Sequence, residues 1–272
     1  MIRILLIVIF CFVFLDNNSL YSNELYYKFH FSSDKYLQIG EELDYIVRYS
    51  FINLGEVKIR VKDRKEVNGR YYYNTIAYID SYNGIPFVNL HQIYESKVNQ
   101  NYYSDFFRGI VKGDELTSYT EYYFNYDNSQ IRIKKGRFSP QQLWVDSTTT
   151  VGQQYHDGLS IFFYARMFSG KKNSITLPCF VNEQKVKTKI NFYPEIIPVS
   201  IDNIDYEVEC VRLDGEMDFI SIFGLTGYFE GWFTNDEASI PIVANMKVLI
   251  GNITLELKSW KRAGWNPPKY KN

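Results

Sequence analysis

Histidine and cysteine are scarce, and so is any excess of charge. The 272 residues include only 3 Cys and 3 His, and 30 Lys+Arg stand against 31 Asp+Glu. His30, His91 and His156 are far apart, and none belongs to an HExxH or a paired-ligand spacing, so the pattern supplies no zinc site. No P-loop, GxGxxG or GxSxG is present, so no cofactor and no catalytic residue is implied. Near-zero net charge and a pI of 6.3 argue against a nucleic-acid partner. A Pro/Ser-rich linker, a charge run and a fixed-period repeat are also missing, which leaves one domain. What is plentiful is aromatic: 24 Tyr and 20 Phe in a chain that is 46% hydrophobic, too apolar for disorder. Such residues favour strands and half-wet surfaces.

One apolar run is long, Ile4 to Leu15. It follows Arg3 and precedes the polar Asp16-Asn17-Asn18-Ser19. Twelve apolar residues fall short of the roughly 20 that span a bilayer, and this order is that of a secretory signal. Cleavage after Ser22 is expected; an uncleaved N-terminal anchor is the alternative. Cys11 lacks a lipoprotein context, so no lipid anchor is expected. No later run reaches transmembrane length, and the expected location is the periplasm or cell envelope of a bacterium. Export would leave Cys179 and Cys210 in an oxidising compartment. Both fall on apolar phases of strand-like runs. A Cys179–Cys210 disulfide and two separately buried thiols are both consistent with that.

Alternation dominates the remainder. Tyr45, Val47, Tyr49 and Phe51 form one apolar phase, and Val57, Ile59 and Val61 another. Val186, Ile190 and Phe192 alternate with lysines, and Ile253, Leu255 and Leu257 alternate with polar residues. Period two means strands with one dry and one wet face. Asn68-Gly69, Asp214-Gly215 and Gly251-Asn252 read as turns. The expected fold is mainly all-β: a curled antiparallel meander or open barrel. Residues 157–169 break the pattern as a short central helix. Asp157 suits its start, Gly170 its stop, and Leu159, Phe162, Phe163 and Met167 share a face. The domain is expected over 23–272, its β halves at about 34–150 and 171–260 joined by this helix. The tail from Gly264 reads as a surface appendage.

Arg166 stands on a helix that otherwise wants burial. It should either pair with a carboxylate or hold a ligand head group. His156-Asp157 with Ser160 reads as a capped helix start. The cluster from Gly227 through Gly231, Trp232 and Phe233 to Asp236 is either a bulged strand with a tight turn or an aromatic platform for carbohydrate or lipid.

These pieces occur together: Gly40-Glu41-Glu42-Leu43-Asp44-Tyr45, Gly55, Tyr94-Glu95-Ser96, Asp157-Gly158-Leu159-Ser160 with Phe162-Phe163-Tyr164 and Arg166, then Trp232-Phe233-Thr234-Asn235-Asp236, Pro241 and Ile250-Gly251-Asn252. The chain resembles the exported bacterial domain-of-unknown-function family 3108 over residues 36–258. The helix motif is the most specific part, with His156 standing where the family pattern often has Gln. The resemblance implies an envelope protein with a curled antiparallel sheet and carries over no activity. The signal peptide, the curled-sheet pattern and the aromatic abundance point instead to non-enzymatic binding of an apolar or amphipathic ligand such as lipid, with Arg166 at the head group and Phe162, Phe163 and Trp232 on the wall. A structural protein of the envelope, binding a protein or glycan partner, is the alternative. A hydrolase of envelope polymers is the third reading.

Overall fold

The computed structural model describes residues 35–271, apart from 87, 218, 221–224 and 249–250. The expected signal peptide lies outside the described residues. The strands are β1 (Glu42–Tyr49), β2 (Ile52–Val67), β3 (Arg70–Ser81), β4 (His91–Asn99), β5 (Ser104–Lys112), β6 (Thr117–Asn125) and β7 (Gln130–Arg137). They continue with β8 (Gln142–Thr150), β9 (Asn173–Val181), β10 (Gln184–Val199), β11 (Val208–Met217), β12 (Leu225–Thr234), β13 (Pro241–Val248) and β14 (Gly251–Lys261). All fourteen belong to one antiparallel sheet, in the order β8-β7-β6-β5-β4-β3-β2-β1-β14-β13-β12-β11-β10-β9. Each strand therefore neighbours its successor, except that β8 and β9 are the two edges, and β1 also pairs with β14, which places the first and last strands at mid-sheet. One end of the sheet carries the seven hairpins that join each odd strand to the next even one.

The expected alternation holds where the sheet buries it. Leu43, Tyr45, Val57, Ile59 and Val61 are buried, while Lys58 and Arg60 lie on the opposite phase. The first apolar phase runs out at the hairpin: Tyr49 is 40% and Phe51 89% exposed, because the strand ends and Ser50 turns the chain at φ 53°. Asn68 and Gly69 make the expected tight turn with φ of 54° and 74°. Asp214-Gly215 does not turn; it lies within β11, where a Cβ on Gly215 would stand 2.3 Å from the Phe229 ring. Glycine here admits a packed aromatic ring rather than a bend. The tail is docked rather than appended. Tyr270 and Glu209 exchange backbone hydrogen bonds with Glu207 and Pro268, and the Trp265 indole donates to Asp236 at 2.6 Å.

The two edge strands do not pair, so the sheet curls without closing. Phe180 on β9 instead packs edge-on against Tyr122 and Phe124 of β6, at 5.0 and 6.1 Å. The β7–β8 hairpin consequently overhangs this contact, and β8 is exposed along nearly all of its length. A short strap seals the seam below. Ser104 N–H donates to the Tyr155 carbonyl, His156 N–H to Pro178, and Phe180 N–H to His156.

The strap leads into α1 (Ser160–Arg166), shorter than the expected 157–169. Asp157 takes over the first turn: its carboxylate accepts the N–H groups of Leu159 and Ser160, both at 2.7 Å, and the Ser96 hydroxyl. Beyond Arg166 the chain passes through turns to Gly170, whose φ of 74° is the left-handed stop foreseen from sequence.

Candidate functional site

Two apolar clusters line the inside of the curl. One is built mainly on β1–β7 and includes Leu159 and Phe163 of the strap and helix; the other is built on β9–β12. A seven-residue helix is too short to fill the space between them. A cavity of about 240 Å³ remains, walled by Val47, Ile59, Leu213, Phe233, Met246 and Leu255 among others, with Ile161, Phe162 and Ala165 of α1 at one side. Leu90, 41% exposed in the β3–β4 connection, and Phe219 after β11 belong to the same wall, so the mouth lies at the hairpin end.

The polar side chains along the wall are already engaged. The Tyr45 hydroxyl donates to the Pro241 carbonyl at 3.1 Å, and Thr188 Oγ1 donates to the Glu216 carbonyl at 3.1 Å. Asp157 is committed to the helix start, and burial holds its carboxyl above the usual range. The Glu230 carboxylate accepts from Arg212 and Asn245, each at 3.2 Å. Among the described residues lining the cavity, then, these side-chain donors and acceptors are already engaged. The part of a ligand that enters must be hydrocarbon, and any polar group it carries stays at the mouth.

Of the four residues expected to bind ligand, only Phe162 reaches this wall. Phe163 is fully buried on the far side of the helix, edge-on to Phe162 at 5.2 Å. Trp232 follows Gly231 and precedes Phe233, which line the cavity; strand alternation sends it to the other face, paired with Arg212 and Val243. Its cluster is the bulged strand and turn of the structural reading, with Asp236 accepting from Thr234, Ala238 and Ser239.

Arg166 is not available to a head group. It is 0% exposed; its Nη1 and Nη2 reach the two Glu41 oxygens at 2.7 and 3.1 Å, while Nε and Nη2 donate to the Ala238 carbonyl. Arg262 also bonds Glu41, and its second nitrogen donates to the Lys35 carbonyl at 2.6 Å. This knot ties helix, N-terminal lead, β12–β13 turn and tail together, and it shuts the end opposite the mouth. Arg166 is thus the ion pair among the two sequence alternatives. Glu41 was legible only as part of a family motif, since 125 residues separate the partners.

The cysteines are separate buried thiols. Cys179 lies opposite Val186 on β10 and Cys210 opposite Ile197, eleven positions further along the same strand. At about 3.3 Å per residue that separation far exceeds the roughly 7 Å limit for Cα atoms of a disulfide. Burial pushes the Cys179 thiol up to about 12 and the Cys210 thiol higher still, so neither is a nucleophile. His156 is buried between Tyr103 and Tyr164, each ring 4.5 Å away. Desolvation depresses its pKa to about 3. Among the described residues no cluster of His, Cys, Asp or Glu could hold a metal, and no helix is long and apolar enough to cross a membrane.

The family model described as "Protein of unknown function (DUF3108)" matches residues 44–258. The chain belongs to this family. A search of curated proteins finds no match to this DUF3108 chain. Two solved structures are similar to it. One is a beta-barrel-like protein of domain of unknown function DUF1849 from Brucella abortus, at 13% identity and a TM-score of 0.47, covering 82% of this chain and 97% of that one. The other is a protein of YmcC-like fold from Bacteroides fragilis, at 10% identity and a TM-score of 0.31, covering 83% and 97%.

Proposed function

We propose that this protein is a non-enzymatic binder of an apolar or amphipathic chain-bearing molecule, such as a lipid, and that it works in the bacterial cell envelope. The observation that carries this reading is the cavity: lined mostly by apolar side chains, with the polar side chains on its wall engaged, and open at the hairpin end. Hydrocarbon burial supplies the affinity, at about 25 cal/mol per Å² of apolar surface removed from water. The N-terminal signal pattern supports the location. An interaction protein of the envelope would not need an internal cavity, which favours the ligand reading over it.

Native mass spectrometry of the chain lacking residues 1–22, exported into a bacterial periplasm and purified, tests the proposal. A stoichiometric extra mass that leaves on organic extraction is the expected result. The bare chain mass, persisting after incubation with envelope lipids and with cis-parinaric acid, would refute it. Ala244 points into the cavity from β13. Ala244→Phe should fill that space, hold or raise the melting temperature, and weaken cis-parinaric acid binding at least about tenfold.

A further inference from the structure

Turns in exported proteins are ordinarily polar, built from Gly, Asn, Asp, Pro and Ser. At the closed end of this curl they are: residues 200–207 include Asp202, Asp205 and Glu207, and residues 234–240 include Asp236 and Glu237. The mouth end differs. The β1–β2 turn carries Phe51, 89% exposed, beside Ile52 at 42%. Leu90 follows in the β3–β4 connection at 41%, Leu116 in β5–β6 at 38%, Phe138 in β7–β8 at 47%, and Ile220 in β11–β12 at 46%. Five separate hairpins thus present large apolar side chains at one end. Residues 50–53 and 82–90, next to each other in the sheet, contain no Asp, Glu, Lys or Arg.

We infer that the mouth end docks on a lipid bilayer, with Phe51, Ile52, Leu90 and Ile220 entering its apolar layer around the cavity opening. This deepens the proposed function and rests on it. Three features select a bilayer as the occupant. The tips are separate projections from several hairpins, a shape that suits a fluid layer better than a fitted protein surface. Charge is absent from the β1–β2 and β3–β4 tips, as entry into hydrocarbon requires. The apolar surface is also continuous: Leu90 belongs both to the exposed tips and to the cavity wall. A chain could pass from bilayer to cavity along it without crossing water. Because the attraction is apolar, attachment should not depend on anionic lipid or on salt.

The test is flotation with phosphatidylcholine vesicles, in parallel with cis-parinaric acid titration in vesicle-free buffer. The chain lacking residues 1–22 should float with the vesicles, equally at roughly 0.05 and 0.5 M salt. Phe51→Asp and, independently, Ile220→Asp should each lower the vesicle partition about tenfold and leave cis-parinaric acid binding unchanged. Ala244→Phe should do the reverse, losing the fatty acid and keeping the vesicles. Circular dichroism checks that the variants fold; Phe51, at 89% exposed, contributes little to the core. Docking is refuted if the wild type stays with the aqueous phase, if both aspartate variants float like wild type, or if flotation needs anionic lipid and fails in salt. Vesicle binding without fatty-acid binding would instead overturn the cavity reading and leave docking standing.

Discussion

Removing Glu41 should do more damage than removing Arg166, and neither change should act through ligand affinity. The Glu41 carboxylate is 1% exposed and lies between Arg166 at 0% and Arg262 at 7%. Glu41→Ala leaves two guanidinium groups facing each other out of water. Arg166→Ala leaves Glu41 with Arg262 still in place, and it strips the Ala238 carbonyl of two donors. Breaking a buried pair by removing one partner costs about 3–5 kcal/mol. Arg166→Ala should fall near the lower figure and Glu41→Ala at the upper one or beyond. With a urea slope of about 3 kcal/mol per M, the midpoints should drop by about 1 M and more than 1.5 M. Arg166→Lys should rescue little, because an ammonium cannot reproduce the fork that spans Glu41 and the Ala238 carbonyl. Urea titration followed by tryptophan fluorescence measures the shifts, with cis-parinaric acid binding read on each folded variant. If Arg166→Ala kept the wild-type midpoint and lost the fatty acid, the knot would be the wrong account and the arginine would be a ligand group.

Two further outcomes are expected. Burial keeps the His156 imidazole neutral down to about pH 3, whereas in the unfolded chain it titrates near 6.5. The unfolded state therefore binds the extra proton, and the stability given by the neutral ring, complete above about pH 6.5, is lost as the pH falls toward 3. Its share of the loss between pH 7 and 5 is about 2 kcal/mol, which His156→Phe, keeping the stack on Tyr103 and Tyr164, should abolish; equal pH slopes in the two proteins would contradict this. The chain lacking residues 1–22 should show no mass change on reduction, and its two thiols should react with a disulfide reagent only after denaturation. Fast reaction in the native state, or none after unfolding without reductant, would argue against two buried thiols.

Period-two patterning was enough to read β1, β2, β10 and β14 and the dry face of each, because a strand's two faces are written locally. The helix start was legible for the same reason: Asp157 meets its N–H partners two and three residues on. Reading failed where a residue's local setting was ambiguous. Asp214-Gly215 has the composition of a turn, yet Phe229 across the β11–β12 pair needs the space a side chain would take. Phe51 continues an inward phase by count, but the strand ends two residues earlier. Trp232 looked like a ligand platform because its neighbours are aromatic, while alternation, counted from Phe233, turns it away.

By itself the sequence determined the fold class, the near absence of catalytic and metal-binding residue patterns, the family, and the position of α1. Those depend on interactions within a few residues or on motif identity. Only the tertiary structure decided the fate of Arg166, the separation of the two cysteines, and the existence and emptiness of polar groups in the cavity. Each of these is set by how far the sheet curls before β9 meets β6, and by how little of the interior α1 can fill. Curl accumulates from the twist between fourteen strands, a global sum that no local pattern carries.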